Sequence, residues 1–254
     1  MKKGLTTFAV VFGFLALLGG GFFLISKKRK TSRVEEIAPP ESTGRLIETS
    51  LEERPYVILV PRTDGREFTL EISRIKNAKT IEYELVYFSN NLSRGAIGSI
   101  DVDNQTSISR KLLLGTCSRD VCKYDENVTE GSLTLRFRSP DGVRKFVTDF
   151  HLQKGADELT SIDGNFKLAA KFSPSVYYLT MSTIGLPGEI TGKVIGQPYG
   201  VFTSGSKTVK NGAVGFNQDG KIYARVGKNW EPVADGEISS LTTFIIVETA
   251  ENGG

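Results

Sequence analysis

Beyond residue 55 the chain alternates apolar and polar positions, and a period of two marks a strand with one buried face. In "EFTLEIS" Phe68, Leu70 and Ile72 fall on one side, and in "TIEYELVYF" Ile81, Tyr83, Leu85 and Tyr87 do the same. "SLTLRFR" sets Leu133, Leu135 and Phe137 against Thr134, Arg136 and Arg138, and "SPDG" supplies a turn into "VRKFVTDFHL". These two runs predict a hairpin. Adding "YVILV", "AIGSIDV" and "SISRKLLL" gives about seven short strands in roughly 100 residues, the spacing of an immunoglobulin-like or fibronectin-like sandwich. The usual Cys-to-Cys bridge between sheets is absent, so the expectation concerns architecture alone.

"KGADELTSIDGN" reads as a connector, and "FKLAAKF", "VYYLTMSTI", "GKVIGQPYGVF", "GAVGF", "KIYARV" and "TTFIIVETA" follow it, β-rich and punctuated by Gly. In "AVGFNQDGKIYARVGKNWEPV" the pair Asp219-Gly220 suits a tight hairpin turn. This stretch resembles the Gly-rich hairpins with a Gly-x-x-Trp step found in surface and phage-fibre proteins, and Trp230 reads as a packing residue. The predicted fold class is all-β: a sandwich over 56–153, a connector over 154–165 and a second small β domain over 166–250.

The N-terminus follows another pattern. Thr6 to Ser26, "TTFAVVFGFLALLGGGFFLIS", is uncharged and mostly apolar, and as a helix it would cover roughly 30 Å, the thickness of a bilayer's hydrocarbon core. A cleaved signal peptide would end its apolar run at a small-x-small site, but here "FFLI" follows Gly19, Gly20 and Gly21. Residues 1–30 are therefore expected to be an uncleaved transmembrane anchor that meets the lipid bilayer through residues 6–26. Residues 31–55, polar and interrupted by Pro39-Pro40, are expected to be a flexible linker, with a short helix near "TGRLIETSLEER" as the alternative.

Composition narrows function more than any motif does. The formal charge of +3 from 32 basic and 29 acidic residues is concentrated just after the apolar run, which argues against nucleic acid as a partner. Lys27, Lys28, Arg29, Lys30 and Arg33 outnumber Lys2 and Lys3, a bias that favours a cytoplasmic C-terminal side. Against it stand an isolated cysteine pair and a long β region, and long domains translocate despite flanking charge. The expected location is a single-pass membrane protein with extracytoplasmic C-terminal domains. Asn-x-Ser/Thr triplets at Asn91, Asn104 and Asn127 would accept glycans only in a host with that machinery.

Candidate chemistry centres on "LLLGTCSRDVCKYDENV", which holds both cysteines. "LLLGTC" resembles the nucleophile strand of the sortase-like cysteine transpeptidases. That family needs a His before the Cys, whereas His151, the one His, follows Cys117. A thiol without a base stays largely protonated at neutral pH. Asp149 shares a strand face with His151, but such neighbours stand side by side about 7 Å apart, poor geometry for an orienting hydrogen bond. "GVFTSGSKT" misses the phosphate loop because Ser206 stands where Lys is required and no helix follows. Asp101, Asp103, Asp120, Asp125 and Glu126 lack EF-hand spacing, and two Cys cannot complete a zinc site. No cofactor or metal is expected. Cys117 and Cys122 are expected to form a disulfide if the chain is exported.

The function expected from sequence is that of a non-catalytic binding or structural protein of the cell envelope, with an envelope protein or glycan as partner. The alternatives are an envelope hydrolase or transpeptidase using Cys117 or His151, and a cytoplasm-facing scaffold.

Overall fold

The computed structural model describes residues 45–119 and 121–248. The expected anchor over 1–30, residues 31–44 of the expected linker, Asp120 and residues 249–254 lie outside the described residues. Among the described residues the fold is all-β, and no helix is long and apolar enough to cross a membrane.

β1 (Tyr56–Pro61), β2 (Glu67–Ser73) and β5 (Ser107–Leu113) form one antiparallel sheet in the order β1-β2-β5. A nine-stranded sheet runs β16-β15-β18-β13-β12-β9-β8-β3-β4. Its strands are β3 (Thr80–Ser89), β4 (Leu92–Asp101), β8 (Glu130–Ser139), β9 (Gly142–Lys154), β12 (Tyr177–Ser182), β13 (Val194–Phe202), β15 (Lys221–Val226), β16 (Asn229–Pro232) and β18 (Thr243–Val247). A four-stranded sheet, β10-β11-β14-β17, holds β10 (Glu158–Thr160), β11 (Phe166–Ala169), β14 (Thr208–Phe216) and β17 (Glu237–Ser240). β6 (Gly115–Ser118) and β7 (Val121–Tyr124) make a separate hairpin.

The period-two pattern is realised where one face is covered. Phe68, Leu70 and Ile72 of β2 join Ile81 and Leu85 of β3, Leu133 and Phe137 of β8, and Phe150 of β9 in one core. Phe68 meets Phe150 edge-on at 5.1 Å between centroids, the arrangement favoured by the ring quadrupoles. The three-stranded sheet thus covers one face of the large sheet, as in a sandwich.

β12 and the second half of β13, from Pro198 to Phe202, have no open face. Leu179 and Met181 of β12 and Phe202 of β13 point into the first core, while Tyr178, Tyr199 and Val201 point into a second with Phe166, Leu168, Val214 and Phe244. All five positions of β18 are buried. Strands covered on both sides read as continuous apolar runs, which is why "VYYLTMSTI" and "TTFIIVETA" show no clean alternation. The stretch 154–165 lies within this framework. β9 pairs with β12 from Tyr177↔Lys154 to Met181↔Phe150, so one sheet carries a core on each side of that point.

Residues 45–55 lie against the same body. Ile47 N–H donates to Val143 O and Val143 N–H to Arg45 O, a 3-10 turn spans Leu51–Glu53, and Leu51 packs against Leu186, Ile245 and Val247.

Because β12 serves both cores, Leu179→Ala is expected to destabilise the whole fold by about 2–5 kcal/mol. In urea, fluorescence of Trp230, which packs by the distant Ile245 and Val247 cluster, should fall in one transition with the far-ultraviolet dichroism of the strands. Two separate transitions would contradict a shared framework.

Candidate binding face

Beyond β12 towards the β4 edge, the second face of the large sheet loses its cover. Register assigns its side chains in rows across four strands: Gly95, Val86, Ser132 and Asp149; Ile97, Glu84, Thr134 and Val147; Ser99, Glu82, Arg136 and Lys145. Antiparallel partners share a face, so the charged positions alternating with Ile81, Leu85, Leu133 and Leu135 all point this way. Arg138 holds Glu82 through two hydrogen bonds at 2.5 and 3.0 Å, and Arg136 reaches Glu84 at 3.4 Å. These pairs cover one half of the face.

The other half is apolar and open. Phe88 is 48% exposed, Val147 57%, Ile162 45% and Ile97 81%. Two adjoining hollows of about 260 and 420 Å³ meet at Phe88 and Glu130. Val86, Asp149 and Ile162 line the first, and Asn90, Asn91, Asn127 and Thr129 line the second. An aromatic ring ringed by amides and carboxylates suits a partner that presents both apolar and hydroxyl or amide groups.

Local structure fixes both rims. Asn90 and Asn91, at φ of 49° and 63°, form the left-handed turn joining β3 to β4, which Asn tolerates better than most residues. Asn127 has φ of 55° and donates to Asn90 Oδ1 at 2.6 Å, and Ser89 Oγ donates to Glu126 O at 2.7 Å. Asn104, at φ 63°, sits in the turn between β4 and β5. Left-handed turns therefore account for Asn at all three triplets.

Ile162 is carried by the β10–β11 turn, which Asp163 holds. The carboxylate accepts from Ser161 Oγ at 2.6 Å, Asn165 N–H and Nδ2 at 3.1 Å each, and the Tyr199 hydroxyl. Burial pushes the Asp163 carboxyl up, but these donors outweigh it and leave it below the usual carboxylate value. Burial, then the bond to Asp163, raises Tyr199.

The residues singled out from sequence have other partners. Cys117 and Cys122 stand opposite each other across β6 and β7, joined by a disulfide with Cα atoms 4.0 Å apart. The hairpin's strands approach so closely at Gly115, φ 143°, that a Cβ would meet Lys123 O. Arg66 and Arg62 lie over the Tyr124 ring at 4.9 and 5.8 Å, and Asp125 accepts from the Tyr87 hydroxyl at 2.7 Å. His151 uses Nδ1, which must carry the proton, to donate to Thr160 O at 2.9 Å, while Gln153 Oε1 accepts from Thr160 N–H at 2.9 Å. The two side chains tie edge strand β10 to β9. Asp149 shares the His151 face but lines the Phe88 hollow instead. Among the described residues no three His, Cys, Asp or Glu side chains are grouped to hold a metal ion.

Sequence reading did not single out Phe88 or Ile162. Phe88 was visible as an aromatic on the polar parity of "TIEYELVYF", but Ile162 enters the face only through a turn packed from another sheet. Comparison with known proteins finds no matching family model and no similar curated sequence.

Asp163→Asn is expected to cost about 1 kcal/mol at pH 7, a low figure because the carboxylate is partly exposed. Since the folded carboxyl lies below its unfolded value, its contribution is present above about pH 4 and is lost as pH falls through the folded value. Denaturant melts at pH 7 and pH 3 should show the wild-type advantage at the higher pH and a smaller one at the lower. An equal gap at both would contradict the assigned role.

Proposed function

We propose that this chain is a membrane-anchored, extracytoplasmic binding protein of the cell envelope that catalyses no reaction, and that it takes an envelope protein or glycan on the face around Phe88. The open apolar surface beside two polar-rimmed hollows carries this reading, since a soluble domain rarely leaves such a patch uncovered without a partner. The order β1-β2-β5 against β9-β8-β3-β4 supports an immunoglobulin-like or fibronectin-like sandwich over 56–153, a scaffold used for recognition at its faces and loops. Fold alone implies no ligand.

Two further observations favour this reading over its rivals. A cystine at Cys117–Cys122 fits an oxidising compartment and leaves no thiol for a transpeptidase. Among the described residues the hydrogen bonds of the His151 ring go to Thr160, and to no Ser or Cys that it could activate. The anchor over residues 6–26 rests on the apolar run alone.

Phe88→Asp leaves the core untouched, so its thermal midpoint should stay within a degree or two of wild type while binding to isolated envelope material weakens about tenfold, or about 1.4 kcal/mol. Equal binding by both proteins would contradict the proposal. Protein taken from its own cells into alkylating buffer should also carry neither label on Cys117 nor on Cys122 until reduced. Two labelled thiols would favour the cytoplasm-facing scaffold.

A further inference from the structure

Pairing in the large sheet breaks along one side of β9. Its register with β12 ends at Met181↔Phe150, because β12 stops at Ser182 while β9 runs back to Gly142. The segment before β1 takes over only at the far end, where Val143 N–H donates to Arg45 O and Val143 O accepts from Ile47 N–H. Alternate residues of a strand direct both backbone groups to the same side, so Lys145 and Val147 face the break as Val143 does. Among the described residues no backbone group outside the strands bonds to either. Their N–H and C=O groups border a notch roughly 7 Å along the strand, and backbone groups at such a break need partners.

The notch opens into a hollow of about 140 Å³ lined by Arg54, Lys145, Val147, Ser182 and Gln197 among others. Arg54 follows the 3-10 turn Leu51–Glu53, and its Nε donates to Thr49 O at 3.1 Å. That bond leaves both Nη groups of the fork available. Among the described residues neither Arg54 nor Lys145 is in an ion pair, and no carboxylate lines the hollow. The threonine hydroxyls here are engaged within the fold: Thr148 Oγ1 donates to Ser182 O at 2.6 Å and Thr183 Oγ1 to Gly185 O at 2.9 Å.

We propose that this notch binds the C-terminal end of a peptide. Charge and hydrogen bonding select it together. Two cations with no carboxylate between them favour an anion, and a carboxylate matches the guanidinium fork. An inorganic anion would leave the carbonyl oxygens of Lys145 and Val147 facing negative charge. A peptide end satisfies both sets of groups: its carboxylate meets Arg54 and Lys145, while its last amide continues the ladder along Lys145 and Val147. The volume of about 140 Å³, close to the ~150 Å³ that holds a benzene ring, admits one terminal residue with a small side chain. The notch adjoins the Phe88 face at Val147 but does not depend on it.

The test uses the full chain in detergent, with N-acetyl-dialanine, its C-terminal amide and inorganic phosphate as probes. Calorimetry should show the acid binding about tenfold more tightly than either the amide or phosphate. Lys145→Gln, at an exposed position, should weaken the acid about tenfold with the thermal midpoint unchanged, and Arg54→Gln should weaken it at least as much. Lys221→Gln, at an exposed position on β15, should leave binding as it is. Hydrogen exchange over residues 145–147 should slow when the acid is bound. No binding of the acid, equal binding of acid and amide, phosphate held as tightly as the acid, wild-type affinity in Lys145→Gln, or unchanged exchange over 145–147 would each overturn the proposal.

Discussion

The burial of β12 and the second half of β13 on both faces is the constraint on which the rest of the structure depends. Leu179, Met181 and Phe202 hold the three-stranded sheet on one side, and Tyr178, Tyr199 and Val201 hold the four-stranded sheet on the other. Neither smaller sheet could bury its apolar face alone, since one side of a sheet must pack against another layer to leave water. The four-stranded sheet covers the large sheet from β15 to β12. What it leaves uncovered is the outer side of β9, β8, β3 and β4, where Phe88, Val147 and Ile97 stand exposed. The candidate site is thus a consequence of where the second layer stops.

Polar side chains complete that arrangement. β10 is too short to satisfy its own edge, and His151 and Gln153 supply its missing partners at Thr160. Asp163, one turn further on, gathers four donors and sets Ile162 beside Phe88. The sole histidine therefore helps to position the site's rim.

Strand existence was legible wherever one face was buried and the other wet. The alternations at Phe68 to Ile72, Ile81 to Tyr87 and Leu133 to Phe137 match the cores they enter. Pairing between β9 and β12 was not legible, because no turn chemistry links them and doubly covered strands lose their period. The hairpin β6–β7 was legible only through its cysteine pair: "GTCS" and "VCKY" have no apolar face, and close approach at Gly115, the cystine and the Tyr124 ring beside Arg62 and Arg66 hold it instead. Of the site, Val86 and Phe88 could be placed on the polar parity of β3. Their company with Ile162 and Asn127 depends on contacts distant in sequence.

The central claim is that the open face around Phe88 is occupied where the protein works. Hydroxyl-radical footprinting, read by mass spectrometry, compares side-chain oxidation in intact cells with that of the purified chain. The account predicts that Phe88 and Ile162 are oxidised several-fold less in cells, while Val226, exposed on β15 away from this face, changes little. Equal oxidation of Phe88 and Ile162 in both settings would contradict it.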